Sequence, residues 1–167
     1  MQGEILAFGT ELLMGEILDT NSAYMARRLP ALGVDTRFIS LLGDKMKSLV
    51  GALQQALERS DIIFTTGGLG PTEDDLTREA IAEILGEKME IDPDLLDELE
   101  RFFRGRGGRG TMPEGNRKQA TRIPSAQILP NPRGTAPGWW AEKNGRIIVA
   151  MPGVPTELEY MWEFQVA

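Results

Sequence analysis

The chain contains no histidine and no cysteine. Without histidine there is no Ser-His-Asp triad, no His general base and no His-rich zinc site. Without cysteine there are no disulfides and no thiol chemistry, which fits a cytoplasmic protein. No stretch approaches the ~20 consecutive apolar residues of a membrane-spanning helix. The opening Met1-Gln2-Gly3-Glu4 lacks the basic region and cleavage site of a secretory signal, so a cytoplasmic location is expected. Basic residues are also in deficit, with 18 Lys and Arg against 25 Asp and Glu, for a formal charge of -7. That balance argues against nucleic-acid or membrane-surface binding, both of which want a basic face. No internal repeat of 20–50 residues is visible, so a solenoid or propeller is excluded.

What remains is a chain of 167 residues, 41% apolar, enough for one domain over residues 1–167 with a substantial core. Any chemistry must run on carboxylates, hydroxyls, amides, Lys, Arg, Tyr and backbone groups. For such a set the natural helper is a hard divalent cation held by carboxylate oxygen.

The stretch that organises the chain is residues 61–77, Asp-Ile-Ile-Phe-Thr-Thr-Gly-Gly-Leu-Gly-Pro-Thr-Glu-Asp-Asp-Leu-Thr. Its apolar run reads as a buried strand, and an amphipathic helix is expected over 76–85. Strand, glycine turn and helix start form an anion-binding geometry in open α/β sheets: glycines let the backbone approach a ligand, and unpaired N–H groups face outward. A P-loop is excluded because no Lys follows the glycines. A dinucleotide fingerprint is excluded because Glu73 stands where its third glycine should be. Thr72 or Asp74 could simply cap the helix, but a cap does not account for three glycines with two adjacent acids. Bare carboxylates repel phosphate, so Asp74 and Asp75 beside a phosphate cradle suggest a bridging metal.

The first half alternates strand and helix: strands at 4–8, 34–42 and after 61, helices at 21–33, 46–60 and 76–85. That alternation predicts a parallel sheet covered on both faces. Right-handed crossovers then bring the loops after each strand to one edge, where ligands sit in such folds. Thr10, Glu11, Asp19, Asn21 and Asp44 follow strands and are candidates to face a site. For Asn21 (with Thr20 and Ser22) and for Asp44, helix capping is an equal alternative. Pro30 should kink or shorten its helix. Residues 94–104 read as a charged helix. The Gly105–Gly110 stretch, Gly-Arg-Gly-Gly-Arg-Gly, reads as a loop rather than an RGG-type nucleic-acid segment. Asn116, Arg117 and Lys118 gather polar and cationic groups after Pro113, as a phosphate or ribose clamp or else a solvated helix face. Residues 131–140 form a rigid Pro- and Gly-rich turn, a second wall for a pocket. Asn144-Gly145 predicts a hairpin, hence a mixed sheet.

Six motifs in order carry a family resemblance: Gly9-Thr10-Glu11-Leu12-Leu13, Asp19-Thr20-Asn21-Ser22, the 66–77 turn, Asn116-Arg117-Lys118-Gln119-Ala120, Gly134-Thr135-Ala136-Pro137-Gly138 and Met151-Pro152-Gly153-Val154-Pro155-Thr156-Glu157. Over essentially its whole length the chain resembles the N-terminal domain of the CinA family, the competence/damage-inducible proteins, within the wider MoaB/MogA-like molybdopterin-binding fold. The resemblance implies a three-layer α/β/α sandwich with a mostly parallel mixed sheet. In MogA-like relatives the glycine turn and its Asp hold molybdopterin for adenylylation. Gly67, Gly68, Gly70 and Asp75 match that pattern, and Asp44 matches a second site Asp. In CinA proteins this domain is associated with metal-dependent hydrolysis of ADP-ribose, and a nicotinamide mononucleotide deamidase domain often follows. Only the first domain is matched, so deamidase activity is not carried over.

The expectation is therefore an ADP-ribose pyrophosphatase-type hydrolase. Asp75, Asp44 and Asp74 would be catalytic, with Asp75 and Asp44 holding Mg²⁺, Mn²⁺ or Co²⁺. Gly67, Gly68, Gly70 and Thr72 would hold phosphate, Asn116, Arg117 and Lys118 a second phosphate or ribose, and Thr10, Glu11, Asn21 and Gly153 the rest of a nucleotide. A pterin-binding or adenylylating module, and a noncatalytic nucleotide-binding or oligomerisation domain, are the alternatives. A homo-oligomer, dimer or trimer, is common in such folds.

Overall fold

A computed structural model describes residues 1–105 and 110–167. Most of the predicted Gly105–Gly110 loop therefore lies outside the described residues. Six strands form one sheet: β1 (Gln2–Phe8), β2 (Asp35–Leu42), β3 (Ile62–Thr66), β6 (Ala126–Leu129), β7 (Gly138–Lys143) and β8 (Arg146–Met151), in the order β2-β1-β3-β8-β7-β6. The pairs β1/β2, β1/β3 and β3/β8 are parallel, whereas β7 runs antiparallel to both β8 and β6. The expected hairpin is present, with Asn144 and Gly145 both at positive φ (53° and 73°), as a primed turn requires.

Strand alternation explains the three layers. Leu6, Phe8, Ile63 and Ile148 point to one face, under α3 (Met46–Arg59) and α4 (Thr77–Leu85). Ile5, Phe64, Val149 and Met151 point to the other, against α2 (Thr20–Arg28) and α6 (Pro155–Met161), where Met25, Leu158, Met161 and Trp162 complete a second core. Trp139 is fully buried and Trp140 half-buried, as their alternation predicts. Pro30 does end its helix: α2 stops at Arg28 and a 3₁₀ turn, Leu29–Leu32, follows. Among the described residues no helix is long and apolar enough to cross a membrane.

Three features depart from expectation. The stretch after β1 is not all loop, because Thr10–Leu13 forms a short helix, α1. β2 is an edge strand that leaves Phe38, Ile39 and Leu41 between 40% and 49% exposed. The segment holding α5 (Pro93–Gly105) is closed at its base by a small antiparallel ladder, β4 (Glu90–Ile91) with β5 (Thr121–Arg122). Two-residue strands carry too little periodicity to be read from sequence.

The topology fixes where a ligand can enter. From β1 the chain moves outward to β2, and from β3 it moves the other way, so the strand order reverses between β1 and β3. The crevice at that reversal, outside the carboxyl ends, is where open α/β sheets bind ligands.

Candidate functional site

At that position lies a cleft of about 690 Å³. Its floor is Thr66 to Thr72 with Asp74 and Asp75, and its sides come from Glu11 and Asp19–Asn21, Asp44, Thr135–Ala136, Pro152–Pro155 and Glu157. Of the residues singled out in the sequence, Glu11, Asn21, Asp44, Gly67, Gly68, Gly70, Thr72, Asp74, Asp75 and Gly153 are brought together here. The Pro- and Gly-rich turn at 131–140 does supply a second wall, through Thr135 and Ala136.

The glycine turn is tied down from behind. Gly67 has φ 93°, and a Cβ there would run into the Phe8 carbonyl oxygen; Gly68 has φ 69°, and a Cβ would strike Thr77 Oγ1. Thr77 Oγ1 donates to the Gly67 carbonyl at 2.7 Å, and its backbone N–H donates to the Gly68 carbonyl at 3.1 Å. The Leu69 carbonyl accepts from Arg78 Nη1 at 2.8 Å and from Gln119 Nε2 at 3.3 Å. In a trans peptide the carbonyl and the following N–H point opposite ways. Three successive carbonyls held toward α4 therefore turn the N–H groups of Gly68, Leu69 and Gly70 away from it. Among the described residues these three N–H groups have no protein acceptor. A run of outward N–H groups before a helix start is a nest for an anion.

The carboxylates are arranged rather than free. Asp75 Oδ2 accepts from Thr72 N at 2.9 Å and Thr72 Oγ1 at 2.7 Å, closing the acidic end of the turn. Asp44 Oδ2 accepts from Thr10 N at 3.0 Å and Thr10 Oγ1 at 3.2 Å. In each case Oδ1 has no donor among the described residues. The capping alternatives fall away. α3 is preceded by Lys45 with no side-chain cap, so Asp44 does not cap it; α4 is preceded by Leu76, so neither Thr72 nor Asp74 caps it. α2 is capped by Asp19, whose Oδ1 accepts from Ser22 N at 3.0 Å, not by Thr20, Asn21 or Ser22. Asn21 is buried instead, donating to Thr66 Oγ1 at 2.9 Å and the Gly153 carbonyl at 2.8 Å, which locks the β8 turn to β3.

Four expected residues are not in the cleft lining. Thr10 acts through Asp44. Asn116 is buried and donates to Gln119 at 2.8 Å. Arg117 pairs with Glu114 on the far side of its turn. Lys118 lies beneath the acidic turn, donating to the carbonyls of Thr72 and Asp75 and pairing with Glu79 at 3.1 Å. Neither cation of this segment faces the cleft: Lys118 braces the turn and Arg117 stays at the surface. Sequence reading missed Gln119, which lines the cleft from the next position, and Glu157, which sits in the opposite wall with Asn131 donating to it at 2.8 Å. It also missed Arg78, 1% exposed and without an ion pair among the described residues. Burial pushes the Arg78 guanidinium down to about 10, against the opposing pull of Glu79 and Asp75. Nothing in its helical spacing marks a charge destined for the interior.

Residues 4–167 match the family described as "Probable molybdopterin binding domain". The chain is 53% identical over 165 residues to a CinA-like protein of Thermomicrobium roseum, covering 99% of this chain and 40% of that protein. Its fold superposes on a CinA protein of unknown function from Thermoplasma acidophilum with a TM-score of 0.90, at 32% identity, covering 97% of this chain and 94% of that one. The chain belongs to the CinA-like family. Its domain type is the probable molybdopterin-binding domain, and the chain spans about 40% of the length of the curated CinA-like relative it matches. The molybdopterin biosynthesis enzyme MoaB from Thermus thermophilus shares the CinA-like fold, with a TM-score of 0.63 at 23% identity over 97% of this chain and 87% of that one.

Proposed function

We propose that this CinA-like domain is a metal-dependent hydrolase of the pyrophosphate in ADP-ribose or a related nucleotide, acting in the cytoplasm. The observation that carries the reading is one cleft in which the outward N–H groups of Gly68, Leu69 and Gly70 meet three carboxylates, Asp44, Asp74 and Asp75, that have no cation partner among the described residues. N–H groups and acids together suit a phosphate accompanied by a divalent cation. Among the described residues no group of three or more His, Cys, Asp or Glu could hold a metal. A pair of carboxylates would instead suit Mg²⁺, Mn²⁺ or Co²⁺ arriving with its substrate, since Mg²⁺ takes one or two carboxylates and completes its shell with water and phosphate oxygen. Asp75 and Asp44, each with Oδ1 uncommitted, are the residues to hold it. When bound, such an ion neutralises phosphate charge and lowers the barrier to attack by water.

The chain's own groups do the rest. The nest holds phosphate oxygens, Asp74 accepts a proton from water, and Glu11, Asn21 and Gly153 border the nucleoside end. Water oxygen bonds to one phosphorus, the bond from that phosphorus to the bridging oxygen breaks, and AMP and ribose 5-phosphate leave. A homo-oligomer, dimer or trimer, belongs to this proposal, with the apolar side chains of edge strand β2 as a surface it could cover. A second reading, a pterin-binding or adenylylating module, is favoured by the description of the matched family and by the MoaB-like fold.

The test is AMP release from ADP-ribose with Mg²⁺, Mn²⁺ or Co²⁺ and with EDTA, for the wild type and Asp75→Ala. Metal-dependent release that falls at least ~100-fold in the variant is expected, the scale of losing a principal electrostatic group. No release with any metal from folded protein, alongside tight molybdopterin binding, would transfer the site to the second reading.

A further inference from the structure

Arg78 is the second residue of α4, and its side chain runs inward beneath the glycine turn. Nη1 donates to the Leu69 carbonyl on the floor of the cleft at 2.8 Å. Nη2 donates to the Pro137 carbonyl, behind the Thr135–Ala136 wall, at 3.2 Å. One planar guanidinium therefore spans two walls of the cleft, and its fork fixes their separation. The Nε has no partner.

Anchoring two carbonyls does not require charge, since a neutral amide could donate to both. A buried cation without a counter-ion is costly, and proteins retain one only where something compensates it. Glu79 and Asp75 pull on it, but neither forms an ion pair with it among the described residues. Glu79 is paired with Lys118, and Asp75 is turned toward Thr72. What lies directly across the Leu69–Gly70 peptide from the guanidinium is the unpaired Gly70 N–H, facing the cleft.

We propose that Arg78 is a positioning residue for the phosphate end of an anionic ligand. Its guanidinium holds the Leu69 peptide so that the Gly70 N–H faces the cleft, and it sets an unpaired positive charge beneath that N–H. The bound phosphate is the missing counter-charge. The inference rests on the reading of the glycine turn as a phosphate cradle, and it applies to pyrophosphate, nucleotide or pterin phosphate alike.

The experiment is calorimetric binding of inorganic pyrophosphate, with Mg²⁺ and in EDTA, and of ADP-ribose, with Mg²⁺ and in EDTA (the EDTA arm without turnover), to the wild type, Arg78→Gln and Arg78→Lys, with circular dichroism melts as the fold control. Gln keeps a donor and removes the charge, so pyrophosphate binding should weaken by at least about tenfold, the worth of one charge-assisted hydrogen bond. Lys keeps a cation but loses the fork that reaches both carbonyls, so its binding should fall between those of wild type and Gln. Folded Arg78→Gln binding pyrophosphate within twofold of wild type overturns the proposal, as does a Lys variant no better than Gln. A second measurement needs no variant. On adding pyrophosphate to the wild type, the amide resonance of Gly70 should move among the most strongly in the chain, and a stationary Gly70 beside shifts elsewhere overturns the assignment. Wild type that binds pyrophosphate but neither binds nor hydrolyses ADP-ribose removes the proposed substrate while leaving Arg78 in its role. Wild type that binds neither removes both.

Discussion

The two ends of the central sheet treat acidic residues in opposite ways. At the amino end Glu4 and Asp61 each have a cation. Glu4, 1% exposed, receives Arg59 on both oxygens, at 2.6 and 3.0 Å, and Ser60 at 3.2 Å. Asp61 receives Arg146 at 2.9 Å and the Gln2 N–H at 2.8 Å. At the carboxyl end, Glu11, Asp19, Asp44, Asp74, Asp75 and Glu157 line one cleft, and none forms an ion pair among the described residues. A chain with 18 bases could have spread them evenly, yet Arg78 grips backbone carbonyls behind the cleft, and Lys118 grips carbonyls and pairs with Glu79 outside it. Like charges gathered in a concave site oppose folding and raise the local attraction for cations. Acids paired at one end stabilise the fold; of those left unpaired at the other, Asp44 and Asp75 are held in place by Thr10 and Thr72.

The contrast breaks most visibly at Glu4. Glu4→Ala removes a buried acceptor of three hydrogen bonds and leaves Ser60 and the Arg59 fork unmatched, which should lower stability by about 2 kcal/mol. For a chain of this length that is a fall in Tm of about 4–8 °C. The carboxyl-end counterpart, Asp75→Asn, keeps an oxygen for Thr72 and removes one of the crowded charges, so its Tm without added metal should equal or exceed the wild-type value. Differential scanning calorimetry of the two variants side by side decides it. Equal losses would mean that the cleft acids are as structural as Glu4.

Added cation sharpens the same comparison with a smaller effect. A ligand at ten times its Kd stabilises by about 1.4 kcal/mol, or about 3–6 °C here. Millimolar Mg²⁺ or Mn²⁺ should raise the Tm of wild type and of Glu4→Ala by similar increments and leave Asp75→Asn and Asp44→Asn unmoved. A shift of the same size in all four proteins would show that the cation acts elsewhere.

Much of this division is legible in the sequence, and the illegible part has physical causes. Strands β3 and β8 announce themselves because a central parallel strand is apolar on both faces, and the acids after the glycines stand out because a cap explains only one of them. The part of the cleft that follows β1, β2, β3 and β8 is set by parallel topology, since every parallel strand ends on the same edge. The direction of the cations does not follow. Residues 114–120 form a 3₁₀ helix, in which each step turns the side chain by about 120°, so Arg117, Lys118 and Gln119 point three ways. Adjacent cations that read as one clamp are thus divided into a surface pair with Glu114, a brace under the turn and, at Gln119, a cleft residue. Arg78 is illegible for another reason. Its burial follows from two carbonyls that converge only when residues 69 and 137, far apart in sequence, are packed together.

The smallest effect extends the paired class beyond the sheet. Asp92 begins α5 with its Oδ1 accepting from Asp94 N at 2.9 Å and Leu95 N at 3.2 Å, while Oδ2 receives Arg122 at 3.1 Å. The Leu95 N–H foremost, then Arg122 and the Asp94 N–H, outweigh burial and hold its carboxyl below the usual range. For Glu87 burial acts upward, but the Ser125 N–H and the Lys143 ammonium overcome it and the net direction is again down. A carboxyl depressed in the folded state contributes stability that is complete above its unfolded pKa, near 4, and is lost as pH falls through the folded value. The stability read from urea unfolding of the wild type should therefore fall as pH drops below the ordinary carboxylate range of about 4. Asp92→Asn retains a good helix cap while losing the charge, so it should cost under about 1 kcal/mol at pH 7 and flatten part of that acid limb. An unchanged acid limb in Asp92→Asn would mean that its pairing with Arg122 contributes nothing, and would narrow the stabilising acids to those at the amino end of the sheet.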